Sequence, residues 1–254
     1  MKLRLDTTQA AGAAALPDPI EAAINGQPAA DWSLAEGVAT IAHELKTPLA
    51  SILGYSRMLR SGWDSLDASR RDEFFDVVDH QGRRLQRLIE DLLESARIDA
   101  GLPVVRREPL DLAGAVRGAV ATVTGLAGAR MIEVVVPEDD LGLYGDANAI
   151  EHVLTNLLEN AIKYSPDETL ISVTVTERGR EVRVSVSDQG SGIDASDLPH
   201  VFERFRRGNG VVKGVGLGLH IVRNLVHAHN GRVWVHSDAG AGATFTVALP
   251  RRSR

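Results

Sequence analysis

Cysteine is missing from all 254 residues. That excludes disulfide staples, a thiol nucleophile and any zinc site built on thiolates, and it fits a reducing compartment. No stretch approaches the ~18 consecutive apolar residues that a transmembrane helix requires. The N-terminus carries no targeting signal: Asp6 and Gln9 interrupt the run that should be apolar, and Ala13–Leu16 is too short for a signal core. A strong positive charge is lacking as well. The 28 Lys and Arg stand against 34 Asp and Glu, for a net charge of −6, which argues against a nucleic-acid-binding surface. What is present is ordinary for a folded chain: 44% hydrophobic and 24% charged residues, with length for roughly one to two domains and a sizeable core.

The chain divides on its punctuation. Residues 1–33 are Ala-rich, with Pro17, Pro19 and Pro28 spaced through them. They read as a flexible lead-in, with at most a short helix near Ile20–Ile24. Residues 34–102 read as two long helices. On the first, Leu34, Val38, Ile41, Leu45, Leu49, Ile52 and Leu59 recur at helical intervals. Gly62 marks its stop, and Asp67 or Ser69 caps the next helix. There Phe74, Val78, Leu85, Leu88 and Leu92 form a stripe widened by Phe75, Ile89 and Ala96. One hairpin cannot bury both stripes. A dimeric four-helix bundle would, so a homodimer is expected, the alternative being a hairpin packed on its own chain.

Gly101, Pro103 and Pro109 set the boundary, and residues 103–254 form a second unit. Helices are expected at about Leu110–Leu126, Asp146–Tyr164 and Gly216–His229. Strands are expected at Ile132–Val136, Leu141–Tyr144, Leu170–Thr176, Glu181–Ser187, Arg232–His236 and Thr244–Leu249. Hairpin-like strands mixed with long helices suggest an α/β sandwich with helices on one sheet face, and an α+β chain overall.

Chemistry gathers at three places. The first is His43-Glu44-Leu45-Lys46-Thr47-Pro48. At ~100° per residue, Leu45, Val38, Leu49 and Ile52 fall within about 80° of Ile41, whereas His43 falls near 200°, with Glu44 and Thr47 beside it. A surface histidine is common, but a proline inside a helix costs ~3 kcal/mol or more. A kink one turn beyond an exposed imidazole therefore suggests a built site. Neutral imidazole is a nucleophile near neutral pH. Glu44 is placed to take the proton of its second nitrogen, and Thr47 to position a water.

The second place is the helix face bearing Asn156, Asn160 and Lys163. Carboxamide oxygens there suit a hydrated Mg²⁺ and the ammonium suits phosphate, against the plain reading of a solvated face. The third is a pair of glycine loops. Asp188-Gln189-Gly190-Ser191-Gly192-Ile193 follows a strand, and Gly214-Val215-Gly216-Leu217-Gly218-Leu219 opens a helix. Backbone N–H groups in the second loop can approach phosphates. It is neither a Walker A loop nor a dinucleotide fingerprint. Between the loops, Phe202 and Phe205 anchor a basic stretch including Arg206 that reads as a lid.

His-Glu-x-x-Thr-Pro, Asn-x-x-x-Asn-Ala-x-Lys-Tyr, Asp-x-Gly-x-Gly, Phe-x-x-Phe and Gly-x-Gly-Leu-Gly-Leu occur in this order. Together they resemble the transmitter core of a two-component sensor histidine kinase, over about residues 34–250. The resemblance implies a dimerisation and histidine phosphotransfer domain at 34–102. It also implies a GHKL-type ATP-binding domain of Bergerat fold at 103–254, of the kind shared with gyrase, Hsp90 and MutL-type ATPases. By the same resemblance His43 would accept phosphate, Glu44 would be its acid/base partner, and Thr47 would orient water in dephosphorylation. Asn160 would ligate Mg²⁺ with Asn156 assisting, and Lys163 would contact phosphate. Tyr164 would border the base, and Asp188 would bind the adenine amino group with Thr244 behind it. Gly190, Gly192 and Ile193 would shape that pocket. Gly214, Gly216, Leu217, Gly218 and Leu219, with Phe202, Phe205 and Arg206, would hold the lid base and phosphates. Departures are Ala42, Ala149 and His152, where the family often has Ser, Arg and Gln.

The implied activity is autophosphorylation of His43 from ATP·Mg²⁺, followed by transfer to an aspartate of a response regulator. The alternatives are a phosphatase-dominant relative and an ATP-inactive phosphotransfer scaffold. With only about 30 residues ahead of the hairpin, the expected setting is a cytoplasmic kinase signalled through a separate sensor partner, or an excised core. Neither a nucleic-acid partner nor a membrane span is expected.

Overall fold

The computed structural model describes residues 4–5, 34–101, 105–137, 141–206 and 215–251. Apart from Arg4–Leu5, the expected lead-in lies outside the described residues, as does Gly214.

Two helices form the hairpin, α1 (Leu34–Gly62) and α2 (Ala68–Asp99). Asp67 caps α2 by accepting from the Arg70 N–H at 2.8 Å. The loop is closed by Ser65 and Leu66 N–H donating to the Gly62 carbonyl. Arg71 lies over the Trp63 ring and donates to the Trp63 carbonyl. Tyr55 and Phe74 meet edge to face at 5.1 Å across the hairpin. Much of the apolar stripe stays uncovered within one chain. Leu49, Leu53, Met58, Phe75, Ile89 and Leu93 are between 45% and 56% exposed.

The second unit is built on a six-stranded mixed sheet with helices on one face, and Arg4–Leu5, read from the sequence as part of a flexible lead-in, instead form its edge strand by pairing with the 131–135 strand. Its strands are β1 (Arg4–Leu5), β3 (Met131–Val135), β5 (Leu170–Arg178), β6 (Glu181–Ser187), β7 (Arg232–Ser237) and β8 (Ala243–Pro250), in the spatial order β1-β3-β5-β6-β8-β7. β3 runs parallel to both β1 and β5, and the remaining pairs are antiparallel. Helices α3 (Leu112–Val123), α4 (Ala147–Tyr164) and α5 (Gly218–Ala228) pack side by side, and α4 and α5 also contact strands of the sheet.

Strand alternation explains the layering. Ile171, Val173 and Val175 of β5 are buried against the helices, while the intervening Ser172 and Thr174 are half-buried on the other face. That second face is knitted by hydroxyl pairs, Ser185–Thr246 at 3.0 Å and Ser187–Thr244 at 2.9 Å. Trp234 lies there between the guanidinium groups of Arg183 and Arg232.

The strand expected at Leu141–Tyr144 is displaced. Gly142 takes φ 61°, which breaks the extended run, and Leu141 and Leu143 drop into the core. Only β4 (Tyr144–Gly145) remains, and it pairs with β2 (Glu108–Pro109) in a separate two-stranded sheet. The helix expected to reach Leu126 ends at Val123 and tightens into a single 3₁₀ turn, Thr124–Leu126.

One buried histidine locks α4 to α5. His229 Nδ1 donates to the Leu225 carbonyl at 2.7 Å, and Nε2 accepts from the Asp146 N–H at 3.0 Å. Asp146 in turn caps α4 by accepting from the Asn148 and Ala149 N–H groups. His229→Leu removes both bonds and leaves a backbone donor unpaired. Urea unfolding should show the variant about 1–3 kcal/mol less stable than the parent chain.

Candidate functional site

His43 is exposed on α1, on the side the periodicity assigned to it. Glu44 is not placed as expected. Instead of flanking the imidazole in solvent it is 5% exposed, and its Oε2 accepts from Arg84 Nη2 of α2 at 3.0 Å. The cause is the hairpin itself: a carboxylate turned between two helices must find a cation, and Arg84 of α2 supplies it. Thr47 Oγ1 donates to the His43 carbonyl at 3.1 Å, four residues back. Pro48 follows inside the helix and cannot donate to the carbonyl of Glu44.

The second set of residues converges on α4. Its apolar side, Ile150, Val153, Leu154, Leu157, Leu158 and Ala161, is buried in the sheet core. That packing fixes the other side, where Asn156, Asn160 and Lys163 follow in register, with Tyr164 at the C-terminal end of the helix. Both glycine loops close on this helix. A Cβ at Gly190 would lie 2.6 Å from the Tyr164 carbonyl, and one at Gly218 would lie 2.8 Å from Asn156 Oδ1. Lys163 Nζ stands 4.9 Å above the Tyr164 ring. Asn156 is 9% exposed, its Nδ2 is buried without a hydrogen-bond partner, and it also lines the cavity that Arg87, Asp91, His152 and Glu159 border.

Asp188 sits just beyond β6. Its Oδ1 accepts from the Gly190 N–H at 2.8 Å, and its own N–H donates to the Ala243 carbonyl at 2.9 Å. Burial pushes its carboxyl above the usual range, while backbone hydrogen bonds at Gly190 and Ala243 pull the other way. The first loop needs glycine on steric grounds. Gly192 has φ 69°, and a Cβ there would lie 2.1 Å from the Asp238 carbonyl oxygen. Ile193 N–H donates to Ser237 Oγ, which donates to the Gly242 carbonyl at 2.6 Å. In the second loop Gly216, at φ 75°, runs against the Arg206 carbonyl, and its own carbonyl accepts from Phe205 N–H at 2.9 Å.

Several expected contacts turn out to be supports. Phe202 is 1% exposed and packs edge to face on Phe245. Leu217 is 2% exposed, and Leu219 is half-buried against the core. These three anchor the loop ends in the core. Phe205 lies against Gly37 of α1, where a Cβ would come within 2.7 Å of its ring. Arg206 is paired with Asp197 at 2.8 Å instead of pointing free toward phosphates. Thr244 bonds Ser187, so the group directly behind the Asp188 backbone is Ala243.

Sequence reasoning missed Ser237, Gly242, Arg84 and His229. The Ser-Asp-Ala-Gly-Ala-Gly run at 237–242 carried a turn signal. Nothing local marked Arg84, whose role exists only through Glu44.

Magnesium fits the residues present. Among the described residues no cluster of three His, Cys, Asp or Glu could hold a metal ion by itself. A carboxamide oxygen from Asn160, beside Lys163, suits a Mg²⁺ that arrives with nucleotide phosphates and keeps several waters.

Two family models match the chain in tandem. Residues 33–101 match the His Kinase A (phospho-acceptor) domain, and residues 145–253 match the histidine kinase-, DNA gyrase B- and HSP90-like ATPase domain. The chain is 33% identical over 229 residues to the sensor histidine kinase WalK of Bacillus subtilis, covering 87% of this chain and 37% of that protein. It is 34% identical over 218 residues to the sensor-like histidine kinase SenX3 of Mycobacterium tuberculosis, covering 84% and 53%. It is 32% identical over 216 residues to the sensor protein KdpD of Clostridium acetobutylicum, covering 84% and 24%. The chain thus spans about a quarter to a half of the length of these curated relatives. Among solved structures, full-length ShkA in complex with AMPPNP aligns at 28% identity with a TM-score of 0.62, covering 86% of this chain and 46% of ShkA. Histidine kinase AdeS of Acinetobacter baumannii shares the fold, at a TM-score of 0.61 and 22% identity over 83% of this chain and 98% of AdeS. With the phosphoacceptor hairpin and the ATPase domain matched in that order, the chain belongs to the sensor histidine kinases of two-component systems.

Proposed function

We propose that the chain is an ATP-dependent protein-histidine kinase that phosphorylates His43 and passes the phosphoryl group to an aspartate of a response regulator. One observation carries the reading. A solvent-facing imidazole on the hairpin shares a chain with a crevice in which both glycine loops close on the Asn156–Tyr164 helix face.

In this reading Asp188 accepts a hydrogen bond from the adenine amino group, and Gly190 and Gly192 shape that pocket by letting the loop close on the Tyr164 and Asp238 carbonyls. Lys163 and the Gly214–Gly218 loop meet the phosphates. Mg²⁺, held by Asn160, would offset phosphate charge. A His43 ring nitrogen attacks the γ-phosphorus, the bond to the ADP oxygen breaks, and the proton on the other ring nitrogen passes to Glu44. Because Arg84 holds Glu44 in the described arrangement, transfer follows its release. Thr47 is retained for orienting the water of the reverse hydrolysis.

The exposed apolar band on α1 and α2 supports a homodimer through a four-helix bundle, and the same hairpin would receive the response regulator. No helix among the described residues is long and apolar enough to cross a membrane. A cytoplasmic location, and input from a separate sensor partner, belong to the proposal.

Incubation of the chain with radiolabelled ATP and Mg²⁺ should give acid-labile, alkali-stable label. His43→Gln should abolish that label while nucleotide affinity stays within about twofold, because His43 lies outside the nucleotide crevice. Label that persists in the variant would remove His43 from its role.

Asp188→Asn should weaken ATP binding by roughly 10–100-fold, the scale of one hydrogen bond to a charged acceptor, as read by titration calorimetry. The adenine donor favours the ionised carboxylate, and burial has raised the Asp188 pKa. ATP affinity of the parent chain should therefore fall as pH drops through that raised value, and the Asn variant should lack this acid limb.

A further inference from the structure

The catalytic unit is docked on α2 in this structure through a row of charges. Arg87 pairs with Glu159 of α4, Asp91 with His152 of α4, and Asp99 with Arg204 of the lid base. Leu88, Leu92 and Ile98 of α2 pack against the core between them, and Phe205 covers Gly37 of α1. The first two pairs border a polar cavity of about 320 Å³ between α2 and α4.

The charges around this cavity do not balance. From α2 it is faced by Arg87, Glu90 and Asp91, with Glu94 acting on His152 from the next turn. From α4 it is faced by Glu151, Glu159 and His152, and α3 contributes only Thr122. Five carboxylates thus confront one guanidinium, which Glu159 already engages. The group left to partner Asp91 is His152, whose Nε2 donates to Asp91 Oδ1 at 3.1 Å. With a neutral imidazole, closure brings α4 carboxylates toward Glu90, Asp91 and Glu94 of α2, of which Glu90 is bonded to Gln86 and Glu94 to Arg97 on α2 itself, with no cation from α4 to meet Asp91. With an imidazolium, the same approach forms a charge-assisted bond.

We propose that docking of the catalytic unit on α2 is proton-linked through the His152–Asp91 pair, which closes in mild acid and opens as His152 loses its proton.

Burial works against the imidazolium and lowers its pKa. The hydrogen bond and charge of Asp91, then the charges of Glu94 and Glu90, more than offset this, and the net shift is upward. A histidine whose pKa is raised in the docked state favours that state below its free pKa, and the preference is lost as pH rises through the raised value. Docking bears on catalysis because His43 remains exposed in it. The docked crevice does not cover the imidazole, so phosphoryl transfer requires the unit to leave. Acid would hold the kinase closed and a rise in pH would release it.

Small-angle X-ray scattering of the intact chain between about pH 5.5 and 8.5, a window spanning the ordinary histidine range, tests this without relying on the kinase reading. The radius of gyration of the parent chain should fall as pH falls. His152→Gln and Asp91→Asn should each lose that dependence, and His152→Arg, permanently charged, should stay compact throughout. Circular dichroism checks that each variant is folded. A parent chain whose dimensions ignore pH, or a His152→Gln variant that keeps the full response, overturns the proposal. As a kinetic counterpart, His152→Gln should autophosphorylate faster than the parent near pH 6 by on the order of threefold, the scale of a half-exposed ion pair. The two rates should converge near pH 8.5, with ATP affinity unchanged. Unequal ATP affinities would place His152 in the nucleotide site and overturn its assignment to docking. Loss of labelling in every protein with the scattering response intact would count against the kinase reading alone.

Discussion

Helix α4 must bury one side in the sheet, and most of what is distinctive here follows from that constraint. Ile150, Val153, Leu154, Leu157 and Leu158 are each at most 2% exposed. Burying side chains of this size contributes roughly 1.5–3 kcal/mol each, so rotation of the helix about its axis is strongly opposed. The orientation of Asn156, Asn160 and Lys163 is therefore dictated by residues that take no part in chemistry. His152 and Glu159, on the same helix, are delivered to α2 by the same packing. A single apolar stripe thus sets both the nucleotide crevice and the surface by which the catalytic unit docks.

Around that helix the backbone approaches itself more closely than side chains permit. At Gly192 a Cβ would collide with the Asp238 carbonyl, and at Gly190 with the Tyr164 carbonyl. These crossings bring the Asp188 carboxyl, the end of α4 and the β7–β8 turn to one place, and Ser237 ties the crossing by bonding both Ile193 and Gly242. The second loop is held differently. Leu217 and Leu219 anchor its helical end in the core, and Phe205 and Gly216 pair through the backbone. The rigid first loop suits a flat ring held in one orientation. The second is bounded by a paired arginine and a ring resting on the hairpin, which ties the Gly216 turn to α1.

The hairpin shows the opposite balance between local pattern and context. Its helices, its cap at Asp67 and the outward direction of His43 were legible because helical period and capping chemistry act over a few residues. The fate of Glu44 was not. Its angle on the helix wheel put it beside His43, yet a carboxylate at the edge of a helix pair moves to the cation that the other helix offers. Arg84 lies 40 residues away and carries no local mark. The surroundings of the residues between the glycine loops were not legible for a related reason. Phe202, Phe205 and Arg206 share one short segment, but one is core, one rests on α1, and one is paired with Asp197.

The sequence by itself determined nearly every helix and strand, the exposed histidine and the order of motifs that defines the family. These depend on periodicity, punctuation and short-range bonding, which the chain carries locally. Only the tertiary structure decided which polar groups meet. Glu44 with Arg84, His152 with Asp91, Ser187 with Thr244 and His229 with Asp146 are all separated by 40 residues or more. Such pairs form because folding brings buried charges and donors within reach of whichever partner the packing of apolar faces happens to place opposite them. No local pattern encodes that choice.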